Sequence, residues 1–119
     1  MKHCGVSNMK NIAVILTASL LLIAAPLSGR AADAKTNWAN NCAQCHGPDG
    51  KAGTKMGKML NAKDLTDPKV QADFTDAKAT QSIKEGVKQN GKTTMKAFGG
   101  KLTDDEIKAL VAYVRTLKK

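Results

Sequence analysis

Beyond residue 34 the chain is short of material for a core. Residues 35–119 hold 18 large apolar side chains (Val, Ile, Leu, Met, Phe, Trp, Tyr) in 85 positions, and only Trp38, Phe74, Phe98 and Tyr113 are aromatic. A domain of that size is marginal unless something besides its own side chains fills the centre. The overall hydrophobic content of 42% hides the shortage, because 20 of those residues fall within the first 34. A length of 119 residues permits one small domain and excludes a large or multidomain enzyme. Charged residues make up 24% of the chain, with both signs mixed, which argues against a disordered polymer. Three cysteines are an odd number and do not suggest a disulfide framework.

The first 34 residues have the order of a secretory signal. Lys2 and Lys10 precede an apolar run over residues 12–25, and Pro26, Ser28, Gly29 and small residues follow. Small side chains at −3 and −1 predict cleavage after Ala34 (Ala32-Asp33-Ala34), with cleavage after Ala31 as the second choice. Met9 is an alternative start. Retention of the segment as a membrane anchor is the competing reading, since residues 11–29 are uncharged and about long enough to span. Cys4 precedes the apolar run, whereas a lipid-anchor cysteine would follow it; Cys4 leaves with the signal. Residues 35–119 then form the working domain.

The core shortage meets its answer in Cys42-Ala43-Gln44-Cys45-His46, a C-x-x-C-H sequence and the attachment signature of c-type haem. Residues three apart share a helical face. Both thiols can therefore form thioethers along one porphyrin edge, with His46 beneath the iron as proximal ligand. Export supplies the compartment in which such attachment occurs, so signal and motif agree. A thioredoxin-like pair would follow a strand, and no alternating β-branched run precedes Cys42. A zinc site would need further soft ligands, and residues 35–119 contain no other Cys or His. A plain disulfide would close too small a loop to stabilise much. One motif and no spare histidine mean one haem c, without bis-histidine ligation.

The remainder reads as all-α, small helices joined by long loops, with no strand. A short helix from about Lys35 carries Trp38, read as a core residue, and ends at His46-Gly47-Pro48-Asp49-Gly50. Residues 51–61 form a Gly- and Lys-rich loop with one turn near Met59. Asp67-Pro68 opens a short helix to about Ala72. Asp76 caps a helix over residues 77–85, closed by Gly86 in a left-handed C-cap. The last helix is the clearest. Thr103-Asp104-Asp105-Glu106 is a capping box, and Ile107, Leu110, Val111, Val114 and Leu117 recur at helical spacing.

The soft donors left for the second iron face are Met56, Met59 and Met95; reach alone does not choose among them, and Met56 and above all Met59 are read as gap-filling core residues. Here the chain resembles the class I c-type cytochromes, small single-haem proteins of the cytochrome c fold. The resemblance rests on Trp38 four residues before Cys42, the motif itself with Gly47, Glu85-Gly86, Met95-Lys96-Ala97-Phe98, and Leu102-Thr103-Asp104-Asp105-Glu106-Ile107 with Tyr113. It implies Met95 as axial ligand opposite His46, and Trp38 packed near Val111 or Tyr113 where the terminal helices cross. Many relatives have Pro after the ligand Met, and this chain has Lys96. A softer Met95 bond, displaced at moderately alkaline pH, is expected from the lost stiffness. The hydrogen-bond partner of His46 stays unassigned.

These readings converge on one-electron transfer by Fe(III)/Fe(II) cycling, in a monomeric shuttle outside the cytoplasm, in a periplasm or an equivalent oxidising lumen. Residues 35–119 carry 16 Lys+Arg and 9 Asp+Glu, a net charge of 16 − 9 = +7. Such a balance suits redox protein partners with acidic docking faces. Nucleic acid is excluded by the lack of a basic cluster and by export, and a cleaved signal leaves no stable membrane insertion. The alternatives are a haem-bearing subunit or anchored domain of a larger oxidoreductase, and a five-coordinate peroxidase or gas sensor if Met95 is not bound.

Overall fold

The computed structural model describes residues 28–119. The signal segment expected over residues 1–34 lies, up to residue 27, outside the described residues. Six helices and one hairpin follow in the order α1 (Ser28–Asn41), α2 (Ala43–His46), α3 (Lys55–Met59), α4 (Pro68–Ala72), α5 (Asp76–Glu85), β1 (Val87–Gln89), β2 (Lys92–Met95) and α6 (Asp104–Thr116). Among the described residues no helix is long and apolar enough to cross a membrane.

Helix α6 organises the molecule. Thr103 accepts from the Glu106 backbone N–H at 3.2 Å, and the Glu106 carboxylate accepts from the Thr103 N–H at 2.8 Å. Asp104, Asp105 and Glu106 sit in its first turn, where the helix dipole favours negative charge. Its buried stripe, Ile107, Leu110, Val111 and Val114, packs against α1. The Trp38 and Tyr113 rings lie 5.6 Å apart between centroids, the helix crossing expected from the resemblance. Trp38, Cys42, Ile83, Phe98 and Leu102 complete the core.

Short polar caps start the smaller helices. Asp67 accepts from Lys69 N–H at 2.8 Å ahead of Pro68, as anticipated. Thr75, rather than Asp76, caps α5, accepting from Lys78 N–H at 3.1 Å. Asp76 is the first helical residue, a position that also suits a carboxylate. A more extensive clamp ties α4 and α5 to α6. The Arg115 guanidinium donates to Asp76 Oδ1 (2.8 Å), Gln71 O (2.7 Å), Gln71 Oε1 (2.8 Å) and Phe74 O (2.8 Å). It also stacks 4.4 Å from the Phe74 ring centroid. The buried Gln71 amide in turn donates to Leu65 O and Val114 O.

Three expectations need correction. Helix α1 begins at Ser28, not near Lys35, and carries Ala34, which is only 2% exposed. The chain is not free of strands: β1 and β2 pair antiparallel, with Lys88 opposite Thr93 and Gln89 opposite Lys92. Asn90 (φ 51°) and Gly91 (φ 76°) form the two-residue turn, the Asn-Gly signal of a hairpin. Gly86 has positive φ (77°), but its ψ of −177° is extended rather than left-handed helical, because the chain leaves α5 directly into β1.

Candidate functional site

The haem motif forms one tight turn. Cys45 N–H and His46 N–H both donate to Cys42 O, at 3.2 and 2.9 Å. Cys42 and Cys45 are not joined in a disulfide, and both line a cavity of about 540 Å³, with His46 beside them. The Cys42 thiol is pushed up to about 11 by burial first and by the Cys45 charge second. Burial also lowers the pKa of His46, favouring the neutral imidazole with a lone pair for a metal. Trp38, read from the sequence as plain core, braces this turn as well. Its ring lies 5.7 Å from the His46 ring, and its Nε1 donates to Gly47 O at 3.0 Å.

Met95 comes to the same cavity from β2. Gly86 brings it there. A Cβ on Gly86 would stand 2.5 Å from Met95 O and 2.9 Å from Ala97 N, so the Met95 strand can pass only where residue 86 has no side chain. Two backbone bonds hold the segment beyond: Phe98 N–H to Ile83 O (2.8 Å) and Gly99 N–H to Lys84 O (3.1 Å). Met56 also reaches the cavity wall from α3, whereas Met59, expected as core filler, is 67% exposed because its short helix turns it away from the core. Arg115, Gln71 and Gly86 are the residues missed in the sequence as supports of this wall. Only Gly86 carried a signal, as a helix stop.

The residues present fit a large, mostly apolar, iron-containing ring. Phe74, Ile83, Leu110 and Val114 give the cavity an apolar wall, and its volume is in the range of small-molecule and cofactor sites. Two buried side-chain polar atoms lack a hydrogen-bond partner among the described residues, His46 Nδ1 and Asn41 Oδ1. Both residues line this cavity. Both atoms are shielded from solvent and so do not face the open cavity; the fit rests on the donor set, two thiols, one imidazole and one thioether on an apolar wall. Among the described residues no cluster of three or more His, Cys, Asp or Glu could hold a bare metal ion.

Comparison with known proteins agrees with this geometry. Residues 29–114 match the family model for cytochrome c oxidase, cbb3-type, subunit III. A cytochrome c6 of Rippkaea orientalis is 33% identical over 103 residues, 85% of this chain and 83% of that one. The cbb3-type cytochrome c oxidase subunit FixP of Azorhizobium caulinodans is 39% identical over 80 residues, 67% of this chain. The match spans only 25% of FixP's own length. Among solved structures, the KustC0563 c-type cytochrome superposes with a TM-score of 0.65 at 37% identity, covering 73% of this chain and 99% of that one.

The family model, the relatives and the solved structures agree on one class. The chain belongs to the class I c-type cytochromes, with the cytochrome c fold.

Proposed function

We propose that the protein carries one haem c, bound covalently through Cys42 and Cys45 with His46 and Met95 as axial ligands, and shuttles single electrons between redox proteins outside the cytoplasm. The observation that carries this reading is the convergence of one turn (Cys42, Cys45, His46) and one strand residue (Met95) on a single apolar cavity. When bound, the haem supplies an Fe(III)/Fe(II) couple. The chain's residues set its conditions. His46 and Met95 would hold the iron, and the Met95 thioether would favour the reduced state. The apolar wall of Phe74, Ile83, Leu110 and Val114 excludes water and disfavours the extra charge of the oxidised state. The helix caps and the Arg115 clamp keep these groups in place between the two redox states.

The signal segment is removed on export to the periplasm or an equivalent lumen. Cleavage after Ala31, the second choice from sequence, keeps the buried Ala34 in α1, whereas cleavage after Ala34 removes it. The chain from Ala32 includes Asp33 and so carries 16 − 10 = +6, which two haem propionates would lower to about +4 at neutral pH, still suited to acidic partners. Intact-mass measurement of the exported protein tests the covalent and processing claims together. The expected mass is the chain from Ala32 plus one haem. A haem-free mass, or haem extractable by acid and acetone, sinks covalent attachment; a full-length mass sinks cleavage.

The match to FixP over a quarter of its length favours a second reading, a haem-bearing part of a larger oxidoreductase. Recovery of the protein from the membrane fraction at the size of a complex would favour it, and recovery alone from the exported soluble fraction favours the shuttle.

A further inference from the structure

Among the described residues two large apolar side chains are exposed, Met56 at 37% and Met59 at 67%. Both sit on α3, three residues apart and so on one face. Single exposed apolar residues are ordinary. A pair on one five-residue helix, in a domain short of core material, is not scatter. The same stretch holds Lys51, Lys55, Lys58 and Lys63, all exposed, and no acid between Asp49 and Asp64.

Helix α3 is pressed onto the haem-motif turn. The Thr54 hydroxyl lies 2.8 Å from Gln44 O and 3.0 Å from Cys45 O, and it accepts from Gly57 N–H at 2.9 Å. A Cβ on Gly57 would overlap the Cys45 carbonyl oxygen. Met59 stands clear of the cavity, whereas Met56 lines it and part of its exposed area faces that space. A partner seated on Met59 therefore stands one helix face away from the cavity.

We infer that α3 is the docking face, with Met59, backed by Met56, as an apolar centre inside a rim of Lys51, Lys55, Lys58 and Lys63, for a redox protein whose own contact is an apolar spot ringed by acids. An apolar centre with a charged rim is how transient interfaces divide the work, the rim steering and the centre holding. Charge alone does not select this face. Residues 86–103 also carry four lysines (Lys88, Lys92, Lys96, Lys101) and no acid, but no exposed large apolar side chain. The hairpin therefore serves as a charge-matched control. A membrane surface is the weaker occupant, since one turn of helix offers little apolar face to lie in lipid.

The inference rests on the electron-carrier reading, and its test separates the two. Reduced, haem-loaded protein is mixed in a stopped-flow instrument with an acidic soluble blue-copper protein at 150 mM salt, where charges are screened beyond about 8 Å. Met59→Gln and the pair Lys55→Glu/Lys58→Glu should each lower the second-order rate roughly tenfold. The pair Lys88→Glu/Lys92→Glu should lower it less than about threefold, and all variants should keep the wild-type reduced spectrum. Equal losses in the hairpin pair, or none in the α3 variants, overturn the docking face. So does wild-type sedimentation with phosphatidylserine vesicles that Met59→Gln abolishes while the protein–protein rate stays unchanged. Wild-type protein that neither the blue-copper protein nor hexacyanoferrate(III) oxidises overturns the carrier reading instead.

Discussion

Replacing Gly86 by Ala should loosen Met95 from the iron without touching either. The added Cβ would stand 2.5 Å from Met95 O, against 3.0–3.4 Å for the tightest tolerated contacts, so the Met95 backbone must retreat by about 0.5–0.9 Å. Two costs add. Residue 86 has φ 77° and ψ −177°, a region essentially restricted to glycine, at about 1–3 kcal/mol. Displacing packed backbone costs a further 1–3 kcal/mol or so. The sum, roughly 2–6 kcal/mol, is a large share of the stability of a small domain. At about 4–8 °C per kcal/mol the unfolding midpoint should fall by about 8 °C or more. Gly91→Ala is the control. Gly91 also has positive φ (76°), but nothing lies within 4 Å of its Cβ position, so it bears only the conformational cost of about 1–2 kcal/mol. The assay is the near-infrared sulfur-to-iron band of the oxidised haem-loaded protein, with thermal unfolding alongside. Gly86→Ala should weaken or abolish the band and Gly91→Ala should keep it. A full band in Gly86→Ala, with a midpoint no lower than that of Gly91→Ala, would refute the close approach as the device that places Met95.

Arg115→Lys should cost about 2–3 kcal/mol, because an ammonium cannot reproduce four directed bonds and a stacked plane. Asp76→Asn, which breaks only the exposed arm of the clamp, should cost less than about 1 kcal/mol, and equal effects in denaturant titrations would contradict this division. Bonds from the Thr103 backbone and then its hydroxyl hold the Glu106 carboxyl below the usual carboxylate range. A depressed folded pKa stabilises fully above the unfolded value of 4.5 and loses its effect as pH falls through the folded value. The gap in unfolding midpoint between wild type and Glu106→Ala should therefore be widest above that pH and narrow on acidification; a pH-independent gap speaks against the cap. With Lys96 where relatives have Pro, the near-infrared band should vanish at moderately alkaline pH, and its persistence far into alkali would defeat the expectation of a soft Met95 bond.

Elements with local chemistry were legible. The Thr103–Glu106 box and the stripe from Ile107 to Val114 define α6 because cap and periodicity lie within a few residues of each other. Asp67-Pro68 defines the start of α4 in the same way. The C-x-x-C-H turn is legible because its function dictates its spacing. The hairpin was not, since Lys88, Gln89, Lys92, Thr93 and Thr94 show no apolar alternation. Its pairing is set by backbone bonds and the Asn90-Gly91 turn, and that dipeptide was the one available signal. Gln71 and Arg115 were opaque for a different reason. The Gln71 amide meets Val114 O across 43 positions, and nothing local marks a glutamine as a buried clamp. Ala34 reads two ways in the sequence because a small residue serves a peptidase and a helix contact equally well. The choice of Met95 over Met56 rests on the resemblance, as both reach the cavity.

The central claim is that Cys42, Cys45, His46 and Met95 hold one six-coordinate haem. The most direct test is the optical spectrum of the reduced protein before and after carbon monoxide, for wild type, Met95→Ala and Met56→Leu. Wild type and Met56→Leu should show an unreactive six-coordinate spectrum, and Met95→Ala should bind carbon monoxide at once. Rapid binding by the wild type, or loss of the sixth ligand in Met56→Leu with Met95→Ala unaffected, would contradict the account.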